Sequence, residues 1–381
     1  MDLDKRIYFD NAASTKLDPE VLKAMMPYFS DYYGNPSSTH AHGRKLRAAI
    51  EKSRQSIAKH LKAQASEIFF TSGGTESDNA AVRSTISAYQ FKHAITSKME
   101  HKAVLHTLQE LEESGVLKLS FVNFDEKGNL DLEHLEELLA KSPPSFVSLM
   151  HGNNEIANLL DFQKVGEICK KYEAIFHCDT VQTMGHFPID LSAINVHFIT
   201  GSAHKFHGAK GTGFLFVRKG VKIPAYITGG SQERGMRSGT ENVMGIVGLA
   251  KALEIAYQDM ENHAQHIKKI KAHLIEKLKS VFPDIIFNGN SADVENSLYT
   301  VLSVSFPASP MSSLLLFNLD LKGVSASGGS ACSSGSNIGS HVLEALNANP
   351  ELPTVRFSFS KNNRIEEADL LVQKMAEIYE L

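Results

Sequence analysis

Two short apolar runs constrain the fold of this chain more than any other feature. They are Ala174-Ile175-Phe176-His177-Cys178 and Val196-His197-Phe198-Ile199-Thr200. Each is bounded by turn formers and carries apolar residues on both faces, as buried parallel strands do. The first ends on Asp179; the second ends in a small-residue turn that presents His204 and Lys205. In open α/β sheets a ligand sits at the carboxyl ends of the strands, so an acid and an amine placed there can face one ligand from two sides. Taken alone, the pair reads more readily as an acid and a lysine on two surface loops, and the rest of the chain has to decide.

The surrounding sequence repeats the pattern. Ile68-Phe69-Phe70 reads as a strand, Ser72-Gly73-Gly74-Thr75 as a turn, and a helix is expected from about Glu76. The strand Ala94-Ile95-Thr96 leads to Met99-Glu100-His101-Lys102, and Val147-Ser148-Leu149-Met150 leads to His151-Gly152-Asn153-Asn154-Glu155-Ile156. Strands alternating with helices from 67 to 217 imply an α/β fold with a mostly parallel sheet and helices on both sides. Helical spacing is read over 19–33, 44–61 and 164–172, and as one long connector over 243–279. Residues 34–45 read as a polar loop whose His40 and His42 serve as hydrogen-bonding groups, since no third metal ligand is near. From about 285 the strands and helices form a smaller α+β unit. The expected division is a large unit over 15–258 and a small one from 1–14 and 259–381, the latter carrying a Ser/Gly loop at about 324–340.

An acid and a lysine at neighbouring strand ends suit pyridoxal 5'-phosphate (PLP). Its aldehyde forms a Schiff base with a lysine amine, and its ring nitrogen needs a carboxylate to stay protonated. The glycine turn before the helix at Glu76 supplies backbone N–H groups and a dipole for a single phosphate. His101 could stack on a flat ring or carry protons, although a lone histidine is more often structural, so it only supports the reading. Asn153 and Asn154 can donate to a ring oxygen. Cys332 lies within VSASGGSACSSGSNIGS, where nothing apolar can bury it, so use as a thiol is favoured over an incidental cysteine. Cys169 and Cys178 sit among apolar residues and read as inert packing groups. The three cysteines show neither paired nor metal-type spacing.

Composition removes other classes. A net charge of −4 gives no reason to expect nucleic acid or membrane binding. No stretch approaches the roughly 18 apolar residues of a membrane span. The start, MDLDKRIYFD, lacks the apolar core of a signal peptide, so a cytoplasmic location is expected.

TSGGTESDN, MEHKAV, NNEI, HCDTVQ, GSAHKFHG, ERGMRSGTEN, SGGSACSSGS and VRFS occur in one order. The chain thereby resembles the cysteine desulfurases of the NifS/IscS type, class V, fold type I PLP enzymes, from about Tyr8 to Ser358. The long Ser/Gly loop resembles the branch with a long catalytic loop. The resemblance implies that Lys205 holds PLP and then takes the substrate α-proton, that Asp179 pairs the ring nitrogen, and that Gln182 and Asn154 contact the ring oxygen side. It implies His101 stacked on the ring as a possible acid–base, a phosphate held by Gly74, Thr75, Ser202 and His204, and Thr240 reaching the phosphate of a second subunit in a homodimer. Arg356, with Asn35 and Asn154 nearby, would bind the carboxylate of L-cysteine, and Cys332 would accept the sulfur. The implied products are L-alanine and a persulfide on Cys332 for an acceptor such as an iron–sulfur scaffold or a thiolation partner. Selenocysteine lyase and class V aminotransferase are the alternatives. The chain departs from the family pattern at Ala209, at Gly152 and in the segment 345–363 around Arg356.

Overall fold

The computed structural model describes residues 6–142, 144–310, 312–328 and 339–381. Cys332 and most of the Ser/Gly loop therefore lie outside the described residues. Twelve strands are present among the described residues: β1 (Ile7–Tyr8), β2 (Ile68–Thr71), β3 (His93–Thr96), β4 (Lys118–Phe121), β5 (Phe146–Ser148), β6 (Ile175–Asp179), β7 (Phe198–Ser202), β8 (Gly213–Val217), β9 (Ile286–Phe287), β10 (Val301–Ser305), β11 (Val324–Ser325) and β12 (Thr354–Ser358). Seven form one sheet in the order β2-β8-β7-β6-β5-β3-β4. All neighbours are parallel except β8, which runs antiparallel between β2 and β7. Strands β2, β3, β5, β6 and β7 thus end at the same edge of the sheet, and their following turns converge there.

The helices are α1 (Pro19–Met25), α2 (Pro27–Ser30), α3 (Ala41–His60), α4 (Gly74–Tyr89), α5 (Lys102–Glu113), α6 (Leu132–Lys141), α7 (Phe162–Lys171), α8 (Val243–Gln258), α9 (Met260–Val281), α10 (Leu315–Leu321), α11 (His341–Ala345) and α12 (Ile365–Tyr379). Alternate residues of each sheet strand enter different cores. Ile95, Val147, Phe176, Cys178, Ile199 and Phe214 pack with α3, α7 and α8 on one face. Ala94, Phe146, Ile175, Phe198 and Leu215 pack with α4 and α5 on the other. Burial on both faces is why these strands are apolar throughout rather than alternating.

A further core joins both ends of the chain. Ile7 and Phe9 pack with Ile267 and Leu274 of α9, Leu302 of β10, Phe357 of β12 and Met375 of α12. Here β12, β10 and β9 form an antiparallel sheet, and β1 pairs in parallel with β11.

Three helical expectations are corrected. The helix expected over 19–33 is two, because Pro27 lacks the N–H that a continuing helix needs. The polar loop over 34–45 ends earlier than read: His40 caps α3, its Nδ1 accepting from the Gly43 N–H at 3.3 Å, so His42 lies on the helix. The long connector is α8 and α9, which meet at Asp259. No helix among the described residues is long and apolar enough to cross a membrane.

Candidate active site

Where the parallel strands end, a cavity of about 200 Å³ opens. Asp179, the last residue of β6, lies on its wall, and its Oδ1 accepts from the Val181 N–H at 2.8 Å. Burial, then the nearby Asp78, pushes its carboxyl up to about 7. Lys205 closes the short 3-10 turn after β7 and also lines the cavity. Its Nζ donates to the backbone carbonyls of Ala12 and, at 3.1 Å, Ala13. Gln182 Nε2 donates to the same Ala12 carbonyl at 3.1 Å. The amine and the amide are therefore held against the N-terminal turn.

His101 caps α5, with Nδ1 accepting from the Ala103 N–H at 3.2 Å. That bond places the ring proton on Nε2. Burial, then Lys205, lowers its pKa to about 4, so the ring is neutral near pH 7. His204 is likewise lowered to about 4, mainly by burial, and its Nδ1 contacts Ser14 Oγ at 3.3 Å.

The first turn of α4 is shaped for an anion. Its cap residue, Gly73, has φ 156°, a region that favours glycine, and offers no side-chain cap. The first N–H groups are thus left without the side-chain acceptor that most helices supply. At Gly74 a Cβ would stand 2.9 Å from Val181 Cγ2, so this close approach requires glycine. Thr75, Ser202 and His204 line the same cavity.

Arg356 of β12 enters from the other core. Its side chain is 1% exposed, with Nη1 donating to the Asn154 carbonyl at 3.0 Å and Nη2 to Asp10 Oδ1 at 3.2 Å. Arg356 Nε is buried and has no hydrogen-bond partner among the described residues. The side chain lines the cavity, where a guanidinium can bind a carboxylate.

Ten of the residues named from the sequence line this one cavity: Gly74, Thr75, His101, Asn154, Asp179, Gln182, Ser202, His204, Lys205 and Arg356. Thr240 and Asn35 do not line it; both are exposed. Asn153 does not line it either, because its side chain is spent on the turn. Its Oδ1 accepts from the N–H groups of Glu155 and Ile156, and its Nδ2 donates to the Met99 carbonyl. Cys169 and Cys178 are buried; burial pushes the first thiol up to about 12 and the second well above its usual value.

Sequence reading missed Asp78. It lies one turn into α4, lines the cavity and is 1% exposed. Carboxylate oxygens of Asp78 and Asp179 and a ring nitrogen of His101 all lie within 4.8 Å of one another. The signal was present in the motif TSGGTESDN, but an Asp in the first turns of a helix is common enough to pass for helix-terminal charge.

The donor set fits PLP: an amine, a buried carboxyl, a neutral flat imidazole, an uncapped helix terminus closed by a glycine, and an arginine on the cavity wall for a substrate carboxylate. Comparison with known proteins agrees with this architecture. Residues 7–371 match the model of the aminotransferase class-V family. Cysteine desulfurase IscS of Dictyoglomus turgidum is 40% identical over 382 residues, covering 99% of this chain and 95% of that protein. A NifS-like protein of known structure superposes with a TM-score of 0.90 at 38% identity, over 98% of this chain and 99% of that one. SspA, solved in complex with cysteine, superposes with a TM-score of 0.81 at 30% identity, over 94% of this chain and all of that one. The fold is thus that of the class-V aminotransferases, with the helix-flanked sheet of fold type I. Within that class, the chain belongs to the cysteine desulfurase family.

Proposed function

We propose that this chain is a PLP-dependent cysteine desulfurase that takes sulfur from L-cysteine and leaves L-alanine. The observation that carries the reading is the convergence of ten residues, from separate stretches between Gly74 and Arg356, on one cavity with a lysine amine and a buried carboxyl. The relatives named as cysteine desulfurases, and the neighbour solved with cysteine, support that substrate. When bound, the cofactor supplies an electron sink for charge developing at the substrate α-carbon.

Lys205 holds the cofactor by its amine and then takes the α-proton. Asp179 keeps a proton at the ring nitrogen, and its burial strengthens that bond. Neutral His101 covers the ring and can move a proton at Nε2. The N–H groups at Gly74 and Thr75, with Ser202 and His204, hold the phosphate; Gln182 and Asn154 contact the ring oxygen side. Arg356 binds the substrate carboxylate, with Asn35 nearby. The Cys332 thiolate attacks the substrate sulfur: a sulfur–sulfur bond forms, the carbon–sulfur bond breaks, and its electron pair goes to carbon, which is then protonated. The persulfide on Cys332 passes to an acceptor such as an iron–sulfur scaffold. In this reading the protein is a cytoplasmic homodimer, with Thr240 reaching the partner's phosphate site. Residues 15–258 form the cofactor unit; 1–14 and 259–381 form the unit that carries Arg356 and Cys332.

The test is a spectrum and a mass measurement. Purified protein should be yellow, and borohydride reduction should fix the cofactor to the peptide containing Lys205. Brief exposure to L-cysteine should release alanine and add one sulfur to the Cys332 peptide. Label on Lys210, or sulfur on Cys178, would sink the assignment. Activity on selenocysteine but not cysteine would favour a lyase, and keto-acid turnover an aminotransferase.

A further inference from the structure

We propose that Asp10 is a positioning residue for the substrate carboxylate: one oxygen of its side chain holds the Arg356 guanidinium in the place from which it binds that carboxylate. The inference rests on the reading of Arg356 given above and adds a residue to it.

Arg356 is fixed at both terminal nitrogens. Nη1 donates to the Asn154 carbonyl at 3.0 Å and Nη2 to Asp10 Oδ1 at 3.2 Å. A guanidinium has five N–H groups, so these two bonds leave one on each terminal nitrogen besides the buried Nε. One N–H from each terminal nitrogen is what a bidentate carboxylate takes. Arg356 lines the cavity and Asp10 does not, so the acid acts through the arginine.

Asp10 is itself held. Its Oδ1 also accepts from Ser327 Oγ at 2.7 Å. Ser327 faces Arg356 in a two-way backbone pair: the Arg356 N–H donates to Ser327 O at 2.7 Å, and the Ser327 N–H to Arg356 O at 3.3 Å. Asp10 also forms a parallel bridge with Ser358, whose N–H donates to the Phe9 carbonyl at 2.7 Å. Acid, serine and arginine thus share one frame drawn from three stretches of chain, and the acceptor oxygen is fixed relative to β12.

An acid beside the arginine also repels a substrate carboxylate, so its place and its charge oppose each other. The Arg356 side chain is 1% exposed and that of Asp10 20%. Solvent reaches the acid and screens its charge, whereas the buried arginine depends on contacts for its orientation. Place therefore outweighs charge. Without the bond the guanidinium keeps a single tether, and substrate binding must then order it.

The experiment separates the two on the cofactor-loaded protein with L-cysteine. Asp10→Asn keeps an acceptor oxygen in place and removes the charge; Asp10→Glu keeps the charge and moves the oxygen by one methylene. KM should stay within about twofold of wild type in Asp10→Asn. It should rise about three- to tenfold in Asp10→Glu and Asp10→Ala, with kcat within about twofold in all three. The inhibition constant of L-alanine, which carries the same carboxylate, should rise in step with KM. In an Arg356→Ala background, Asp10→Glu and Asp10→Ala should raise KM no further, because the group they position is gone. A further rise there marks a merely structural role and overturns the proposal. So does a wild-type KM in Asp10→Glu, or a larger change in Asp10→Asn than in Asp10→Glu. A wild-type KM in Arg356→Ala alone would overturn the reading of Arg356 as well. Should Asp10→Ala fail to fold, the Asn and Glu variants, which keep a polar group beside the arginine, decide by the same comparison.

Discussion

Three cysteines in one chain give the sharpest contrast at the residue scale. Cys169 and Cys178 are buried thiols held far from ionisation, so neither supplies a thiolate near neutral pH. Cys332→Ser should keep cofactor uptake, because Lys205, Asp179 and the other residues proposed to hold the cofactor are unchanged, but alanine release from L-cysteine should fall to background. Cys178→Ala should keep turnover and cost about 1 kcal/mol of stability from lost packing. Normal alanine release by Cys332→Ser would end the persulfide route. Arg356 gives a second test. Replacing it with alanine removes a charged donor set worth about 2 kcal/mol or more, so the KM for L-cysteine should rise about thirtyfold or more. Cofactor affinity, read by absorbance, should change far less; equal losses in both would mean that Arg356 holds the fold rather than the substrate.

Among the elements, α4 and the stretch 229–242 show how the site edge is held. Gly74→Ala would put a Cβ 2.9 Å from Val181 Cγ2, in the cavity lined by Ser202 and Thr75. Alanine is otherwise the better helix former. The helix should therefore persist while affinity for inorganic phosphate and for the cofactor drops, about tenfold or more if one phosphate N–H contact is lost. Affinity equal to wild type would move the phosphate elsewhere. Arg54 of α3 and Glu233 form a buried bidentate pair at 2.7 and 2.8 Å. Glu233 also accepts from the Phe70 N–H at 2.8 Å, and Glu233 and Arg234 both have positive φ. The pair thus pins the stretch leading to Thr240 onto β2 and α3. Glu233→Ala leaves a buried guanidinium uncompensated and should cost about 3–5 kcal/mol. Hydrogen exchange should show the stretch opening well before α8; uniform protection across both would contradict the pinning.

For the whole molecule, titration in the interior predicts acid sensitivity. His101, His151, His177, His186, His197, His204 and His207 are each lowered to about 4, chiefly by burial. Between about pH 6.5 and 4 the unfolded chain protonates these rings and the folded chain does not, so folding is destabilised as pH falls through that window. Asp78, Asp179 and Glu100 act oppositely: their raised values stabilise the fold as pH falls, because the folded state holds protons that the unfolded chain has released. Histidines outnumber these acids, so the apoprotein's Tm should fall between pH 7 and 5. A Tm that rises over that range would show the carboxyls dominating.

The strand-end placements were legible in the sequence because buried parallel strands are apolar on both faces and stop at the sheet edge. Asp179, Lys205, His101 and Gly74 follow from that periodicity, local turn chemistry and the rule that ligands sit at carboxyl ends. The ordered motifs added Gln182 and Arg356 through resemblance. Periodicity could not show that Asn153 is spent on its own turn while Asn154 faces the cavity, since both sit in one dipeptide. It could not show that Pro27 divides one helical stretch while His40 starts the next. Nor could it pair Asp78 with Asp179, Arg54 with Glu233, or Asp10 with Arg356, each separated by a hundred residues or more. Local patterning thus determined which residues end strands and helices. Only the tertiary structure decided which of those ends share a cavity, because buried charge and proton affinity depend on distances between segments that sequence spacing does not encode.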